Sequence, residues 1–312
     1  MQFRVEQLIR GVRWWELAGH DQASLRQAWR QTHYAAQAAA EIGKSWGEPA
    51  ADDSHTSLSW LDGAGLLQGA MLGQVASAGE NPVRSAMRMS DLRLLLLSPA
   101  GAPLEQTALA GRTLPDAIGW IRAAAETHAG PAAHEAVPAP DLPEHPLAKG
   151  AKFAATAQLA QVELIRLYAN ASHVLERISA IAAEISDPVR IWPHHFDIAT
   201  LLTLDRSDDG SPRRTLGLGL TPPDGLIDDG YWYVSGWSAT PLRPGATRMP
   251  ALAHGRWIER TGSLPMAVLP ISAVTAVAGD PESIAEPGEQ QQRVADFLAT
   301  AANASLEALD HE

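Results

Sequence analysis

The densest group of reactive side chains lies at residues 194–197, where two histidines and an aspartate open an apolar run. Side chains on a β-strand alternate between its two faces, so His195 and Asp197 are expected on one face and His194 on the other. On one face, a histidine and an aspartate could chelate one ion or share one proton. The alternative is structural: these side chains hydrogen-bond the backbone in a turn and bind nothing.

A metal site is one hypothesis for this group. His195 and Asp197 would supply two ligands, whereas catalytic zinc sites use three protein ligands. The chain has no cysteine, so any further ligand must be a histidine or a carboxylate. His55 and His254 are the candidates for the third position. A divalent metal held in this way would activate a water molecule for hydrolysis.

Three residues elsewhere are further candidates for ligand binding. His55 opens a run in which serines follow at alternate positions, which would make one strand face polar. Tyr233 belongs to a strongly aromatic run, and an aromatic strand face is expected to pack against a helix, a subunit or a ligand. Arg256 would present a cation to a carboxylate or phosphate. Solvated faces, core packing and a subunit interface are the structural alternatives.

The framework predicted around these residues is α+β, with antiparallel sheets packed against helices. Apolar side chains at helical spacing predict helices at residues 22–42, 114–127, 154–185 and 289–309. Strands are predicted at residues 55–61, 66–72, 85–97, 194–204, 215–220, 231–237, 255–260 and 266–269. Because short polar turns join consecutive strands, antiparallel pairing is expected.

A proline-rich segment at residues 131–150 can form neither a helix nor a central strand, and it predicts an extended linker. It divides the chain into an N-terminal α+β half, residues 1–130, and a C-terminal α+β half, residues 151–312. Each half has the order helix, strands, helix. Two similarly organised halves, related by duplication, are therefore one hypothesis.

Composition restricts the classes of partner. The 312 residues are 46% hydrophobic, enough for a sizeable core. The formal net charge of −12 repels phosphate backbones and anionic membrane surfaces, so neither nucleic acid nor a membrane is expected as a partner. Charges interrupt the apolar residues at the start of the chain, and no run approaches a membrane span, so a cytoplasmic location is expected. No cofactor motif is identified.

Three short motifs follow one another along the chain. They are a helix with Thr32, His33, Gln37, Gly43 and Lys44, the segment Trp192-x-x-x-Phe196-Asp197-Ile198-Ala199, and the strand Tyr231-Trp232-Tyr233. Their order is similar to that in a bacterial family described only as a domain of unknown function, and the likeness covers most of the chain. Members have Phe-Asp-Leu-Ala after the tryptophan, but this chain carries Pro193-His194-His195 in the gap. The resemblance implies an architecture and a bacterial origin, and it transfers no catalytic residue.

The sequence therefore predicts a protein that binds a small molecule, or a second copy of itself by self-association, in a cleft near residues 194–197. The expected ligand contacts are His55, His194, His195, Asp197, Tyr233 and Arg256. The alternative is a metal-dependent hydrolase that uses His195 and Asp197 with His55 or His254. A third class is a structural protein whose aromatic strand lies in a two-fold interface.

Overall fold

The computed structural model describes residues 1–19, 21–62, 68–76, 82–134, 142–155, 158–240, 249–277 and 279–310. Within these ranges the sheets are antiparallel and helices pack against them, which confirms the α+β prediction. None of the helices in these ranges is long and apolar enough to cross a membrane.

The elements are numbered along the chain. The helices are α1 (Val5–Ile9), α2 (Gln22–Trp46), α3 (Leu114–Ala129), α4 (Gln158–Ile181), α5 (Ile271–Thr275) and α6 (Pro287–Asp310). The strands are β1 (Ser59–Asp62), β2 (Gln68–Ala76), β3 (Val83–Arg88), β4 (Arg93–Leu97), β5 (Pro103–Ala108), β6 (Arg190–Trp192), β7 (Asp197–Arg206), β8 (Pro212–Thr221), β9 (Tyr231–Ser238), β10 (Arg256–Ile258), β11 (Met266–Pro270), β12 (Ala276–Val277) and β13 (Asp280–Ile284). Short 3₁₀ turns occupy Ser54–Thr56, Met89–Asp91 and Pro146–Lys149.

The chain divides into two compact units. The terminal unit comprises Met1–Gly19, Arg166–Val189 and Ile198–Glu312, and the central unit comprises His20–Ile165 and Arg190–Asp197. The division differs from the predicted halves of residues 1–130 and 151–312. One reason is that the start of the chain is bound to α6, where the Asn303 side chain exchanges two hydrogen bonds of 2.8 Å with the backbone of Phe3.

The central unit is a sheet meander with two helices against it. Strands β1 to β5 are neighbours in chain order. Helix α2 lies against β2, β3 and α3, while α3 also lies against β3 and β4. Residues 35–40 of α2 are all buried, and five of these six are alanine. Small side chains allow the helix backbone to approach the sheet closely, and this proximity brings polar groups of α2 near loops of the same unit.

The terminal unit combines a second antiparallel sheet with α6. Strands β10, β11, β9, β8 and β7 are neighbours in that order. Helix α6 lies against β8, β9 and β11, and its predicted apolar face, including Phe297 and Leu298, is buried. The core of this unit therefore lies between the sheet and α6.

The described residues of the predicted linker are attached to α2. The Tyr34 hydroxyl donates to the carbonyl oxygen of Pro143 at 2.9 Å. Near the start of the segment, the backbone N–H of His134 donates to the carbonyl oxygen of Ser45 at 3.0 Å. Residues 135–141 lie outside the described residues. Duplication of the two predicted halves stays a prediction.

The predicted helices are found with small changes at their ends. Thr113 and Asp116 form the capping box at the start of α3. The apolar stripe of α4, which includes Tyr168, is buried. The first helix is the exception, because it is predicted to end at residue 42, whereas α2 continues through Gly43 to Trp46.

Three strand predictions are wrong in part. The first predicted strand starts instead as a 3₁₀ turn, and β1 begins only at Ser59. The single strand predicted for residues 85–97 is divided into β3 and β4 by a turn in which Leu92 has a φ of 44°. The strand predicted from His194 begins at Asp197. The sequence also gives no sign of β5, whose mostly exposed side chains lack apolar alternation.

Candidate functional site

A tight turn at residues 193–196 carries the two histidines of the predicted site. The backbone N–H of Phe196 donates to the carbonyl oxygen of Trp192 at 2.6 Å, and Phe196 has a φ of 58°. A positive φ is uncommon outside glycine and persists only where surrounding contacts hold it. The prediction that His195 and Asp197 share a strand face is wrong, because His195 lies in this turn and not on a strand.

Two buried polar side chains of α2 hold the turn. Nε2 of His33 donates to the carbonyl oxygen of Pro193 at 2.8 Å, and Nε2 of Gln37 donates to the same oxygen at 2.6 Å. The His33 ring also stacks on the Phe196 ring, with centroids 5.1 Å apart and planes 10° apart. Burial lowers the pKa of His33 to about 4, although the hydrogen bond to Pro193 acts in the opposite direction. His33 is therefore neutral near pH 7.

A cleft of about 510 Å³ lies in the central unit. Its lining combines one lysine, three histidines, one carboxylate and one amide with small apolar side chains. The lining residues are Gln37, Lys44, Pro49, Ala50, Asp53, His55, Thr56, His134, Pro193 and His194. Clefts of this size hold small organic molecules. We call it the Lys44 cleft.

One wall of the Lys44 cleft depends on Gly43. A Cβ atom at this position would overlap the carbonyl oxygen of His55. The absence of a side chain therefore lets the 3₁₀ turn Ser54–Thr56 lie directly against α2. This close approach, and not the end of a helix, explains the glycine.

Replacing Gly43 with alanine should reduce stability and displace His55. A Cβ atom pressed against a backbone oxygen cannot be relieved by rotating a side chain, so we expect a loss of about 1–3 kcal/mol in unfolding free energy. This outweighs the better helix propensity of alanine, about 1 kcal/mol. Urea unfolding measures the effect.

Gly119→Ala is the matched control for this substitution. Gly119 lies inside α3, and nothing is within 4 Å of the Cβ that alanine would add there. Helix propensity alone should act, so Gly119→Ala should keep or raise stability. If Gly43→Ala were equally harmless, the packing of the 3₁₀ turn on α2 would be contradicted.

Hydrogen bonds define the donor atoms of two cleft histidines. Nδ1 of His55 accepts from the backbone N–H of Ala50 at 3.2 Å, so the neutral ring carries its proton on Nε2. Nε2 of His134 donates to the carbonyl oxygen of Gly47 at 3.1 Å, which leaves Nδ1 as an acceptor in the neutral ring. The lining therefore contains both a histidine donor and a histidine acceptor.

His194 is the histidine of the turn that lines the cleft. Its ring centroid lies 4.5 Å from that of His195 and 5.9 Å from that of Trp192. Burial lowers the pKa of His194, and the positive charges of His195 and Lys44 act in the same direction, whereas Asp53 opposes them. His194 is therefore mainly neutral near pH 7 and can accept a proton.

Lys44 supplies the positive charge of the lining. Its ammonium donates to Oε1 of Gln37 at 3.4 Å, a long hydrogen bond. Across the ranges that the structure describes, no carboxylate lies within 4 Å of this ammonium. Burial lowers the pKa of Lys44, and the negative charge of Glu41 partly offsets this. The half-buried charge therefore lacks a direct counter-ion among these residues.

The carboxylate of Glu41 is bound to other groups. Its Oε1 accepts from Arg122 of α3 at 2.6 Å and from the Ser45 hydroxyl at 2.8 Å. The guanidinium of Arg122 also donates to Oγ of Ser45 at 2.5 Å. The Glu41 side chain is 3% exposed. This buried network joins α2 to α3 and fixes the helix that presents Lys44.

The remaining predicted site residues lie outside the lining of the cleft. His195 is exposed, and Asp197 is buried. In the terminal unit, Tyr233 packs half-buried against an apolar cluster, and Arg256 is exposed on β10. Ligand-binding roles for these four residues stay predictions, whereas His55 and His194 do line the cleft.

The metal hypothesis needs three ligands around one point. The described residues include His55, His195, Asp197 and His254, yet contain no group of three or more His, Asp or Glu side chains that could hold a metal ion. His254 belongs to the terminal unit, whereas the other three belong to the central unit. The metal-dependent hydrolase therefore lacks a ligand set in these ranges.

A sequence signal for the polar face of α2 does exist. His33, Gln37, Glu41 and Ser45 recur every four residues, and all four are buried. Buried polar groups require hydrogen-bond partners, so this spacing indicates a face that binds other polar groups. Lys44 has no comparable signal, because a lysine in the last turn of a helix is a common solvated arrangement.

No protein-family model, curated protein or solved structure matches this chain. Membership of the bacterial family that its motifs resemble stays a prediction.

Proposed function

We propose that the protein binds a small organic anion in the Lys44 cleft, where the ammonium of Lys44 holds the negative charge. The observation that carries the proposal is a half-buried lysine that lines a cleft of about 510 Å³ without an ion pair among the described residues. A volume of this size suits a small molecule better than a protein segment.

Local charge favours an anion although the whole chain is acidic. The ammonium of Lys44 has lost part of its hydration, and a carboxylate or phosphate would compensate for this loss. Asp53, the carboxylate of the lining, suits a hydroxyl or amino group elsewhere on the same ligand. The net charge of −12 still disfavours nucleic acid and anionic membranes, and we expect the protein to act in the cytoplasm.

The other lining groups limit the shape of the ligand. Nε2 of His55 can donate a hydrogen bond, since its Nδ1 is already occupied by the Ala50 backbone. Pro49, Ala50 and Pro193 provide small apolar contacts. Sites of this kind combine apolar walls with a few polar groups that fix orientation. The ligand should therefore have one anionic end and a short carbon skeleton.

Replacing Lys44 with glutamine should weaken the binding of small anions about tenfold or more, which corresponds to about 1.4 kcal/mol or more. The cause is the loss of the ammonium charge, since Lys44 is the one lysine or arginine among the described residues that line the cleft. Lys44→Arg should retain most of the affinity, because arginine keeps the charge. Calorimetric titration with acetate, pyruvate and inorganic phosphate measures these differences.

Lys149→Gln is the matched control. Lys149 is exposed and pairs with Glu144 at 2.7 Å, so the same change of charge occurs away from the cleft. This variant should bind the probes like the unaltered protein. The proposal fails if the unaltered protein binds none of the three probes, or if Lys44→Gln and Lys149→Gln behave alike.

A further inference from the structure

We infer that Lys44 is a nucleophile that forms an imine with a small carbonyl compound, and that the substrate class is a short 2-oxo acid. This inference rests on the proposed function, since the anionic group of that ligand would occupy the Lys44 cleft. It adds the reacting atom, Nζ of Lys44, and the chemical step.

The residue type at position 44 is the first argument. Of the 24 basic residues in the chain, three are lysines, Lys44, Lys149 and Lys152. The other two are exposed, and Lys149 is paired with Glu144. Arginine serves elsewhere as the usual cation of this chain, but it cannot lose its proton to become a nucleophile. The cation of the cleft is thus a lysine, and the neutral amine of a lysine can attack a carbonyl carbon.

The surroundings of Lys44 favour its neutral amine. Within the described ranges no carboxylate forms an ion pair with it, and the long contact to Oε1 of Gln37 orients the nitrogen without neutralising its charge. Burial lowers the pKa of Lys44, despite the opposing charge of Glu41. A larger fraction of Lys44 than of an exposed lysine is therefore unprotonated near pH 7.

The step requires proton transfers that the cleft residues can perform. After the ammonium loses a proton, Nζ attacks the carbonyl carbon and a C–N bond forms. That first proton goes to His194, which is neutral near pH 7, while Nε2 of His55 donates a hydrogen bond to the carbonyl oxygen. The nitrogen of the adduct then gives one proton to this oxygen, and the protonated His194 returns the other. The carbonyl oxygen leaves as water. An ammonium and a carbonyl compound thus become a protonated imine and water, with charge conserved and no oxidation.

The positive charge of the imine favours a 2-oxo acid as the substrate. The protonated imine keeps its positive charge on Nζ, and a carboxylate on the neighbouring carbon would remain beside that charge. A simple aldehyde or ketone would lack this partner. The small apolar residues of the lining, Pro49, Ala50 and Pro193, suit a short chain.

Borohydride trapping of the full chain tests the inference. Reduction in the presence of pyruvate, and separately of glyoxylate, converts an imine into a stable secondary amine that peptide mass spectrometry locates. We expect an adduct on Lys44 with at least one of the two acids, and little on Lys149 or Lys152 in the same sample. His194→Gln should slow its formation, because an amide cannot accept and return the proton.

Lys44→Arg separates the inference from the proposed function. This variant should still bind pyruvate in calorimetry, because it keeps the charge, but it should give no specific adduct. Modification of Lys44 no greater than that of Lys149 and Lys152 would overturn the inference. If pyruvate binds under those conditions, the proposed function survives. If none of acetate, pyruvate and inorganic phosphate binds, both fail.

Discussion

Replacing Arg122 with methionine should lower the free energy of unfolding by about 3–5 kcal/mol, because a buried carboxylate then loses its cation. The guanidinium of Arg122 lies 2.6 Å from Oε1 of Glu41, whose side chain is 3% exposed. Of the two hydrogen bonds to Oε1 of Glu41, the one from the Ser45 hydroxyl would remain after the substitution. The Arg122 side chain is itself 21% exposed, so entry of water should keep the loss near the lower end of this range.

Urea unfolding of Arg122→Met, Glu41→Gln and the double variant measures the pair. The double variant should recover most of the stability lost in Arg122→Met, since a neutral amide needs no cation. Lys149→Met is the exposed control. Its ion pair with Glu144 joins side chains that are 73% and 84% exposed, so it should change stability little. A loss below about 1 kcal/mol in Arg122→Met would mean that Glu41 is not isolated from water.

Acidification should destabilise the protein through His33. Burial lowers the pKa of this residue from 6.5 to about 4. Between these values the unfolded chain binds a proton that the folded protein does not, so stability falls as pH falls through this window and is fully present above it. At about 1.36 kcal/mol per pH unit, this window corresponds to a loss of about 3.4 kcal/mol at most.

His33→Gln should remove most of this pH dependence. The amide of glutamine cannot titrate, but it can still donate to the carbonyl oxygen of Pro193. Unfolding in urea at about pH 7.5 and about pH 4.5 should show a smaller difference in the variant. His145 and His194 account for part of the remaining slope, since burial also lowers the pKa of each.

The partly exposed His128 provides the control for this comparison. His128→Gln makes the same substitution at a histidine of the central unit that lies 3.0 Å from Glu105, and its unfolding curves give the reference against which the change in His33→Gln is judged. If the unfolding free energy of His33→Gln fell with pH as steeply as that of the unaltered protein, this pH dependence would not come from a buried, neutral His33.

Local signals in the sequence account for much of the fold. The capping box of Thr113 and Asp116 marks the start of α3, and apolar spacing identifies the buried stripe of α4. Short polar turns between strands predict the antiparallel pairing. Each of these signals depends on residues close together in the chain, so it can be recognised without knowledge of tertiary contacts.

The cleft depends on contacts between distant parts of the chain, which local patterns do not predict. His33 and Pro193 are separated by 160 positions, yet their hydrogen bond helps to hold the turn that carries His194. The close approach of Gly43 and His55 likewise joins a helix to a turn that follows it. The sequence therefore identifies His55 and His194 as candidates, but it misses Lys44. It also assigns the two histidines to strands that begin only at Ser59 and Asp197.

A backbone-amide NMR titration of the full protein with pyruvate tests the central claim, a small-anion site in the Lys44 cleft, most directly. We predict saturable shift changes concentrated at Lys44, Ala50, Thr56 and His194, and their loss in Lys44→Gln. Shift changes confined to the terminal unit, or a titration of Lys44→Gln that matches the unaltered protein, would contradict the claim.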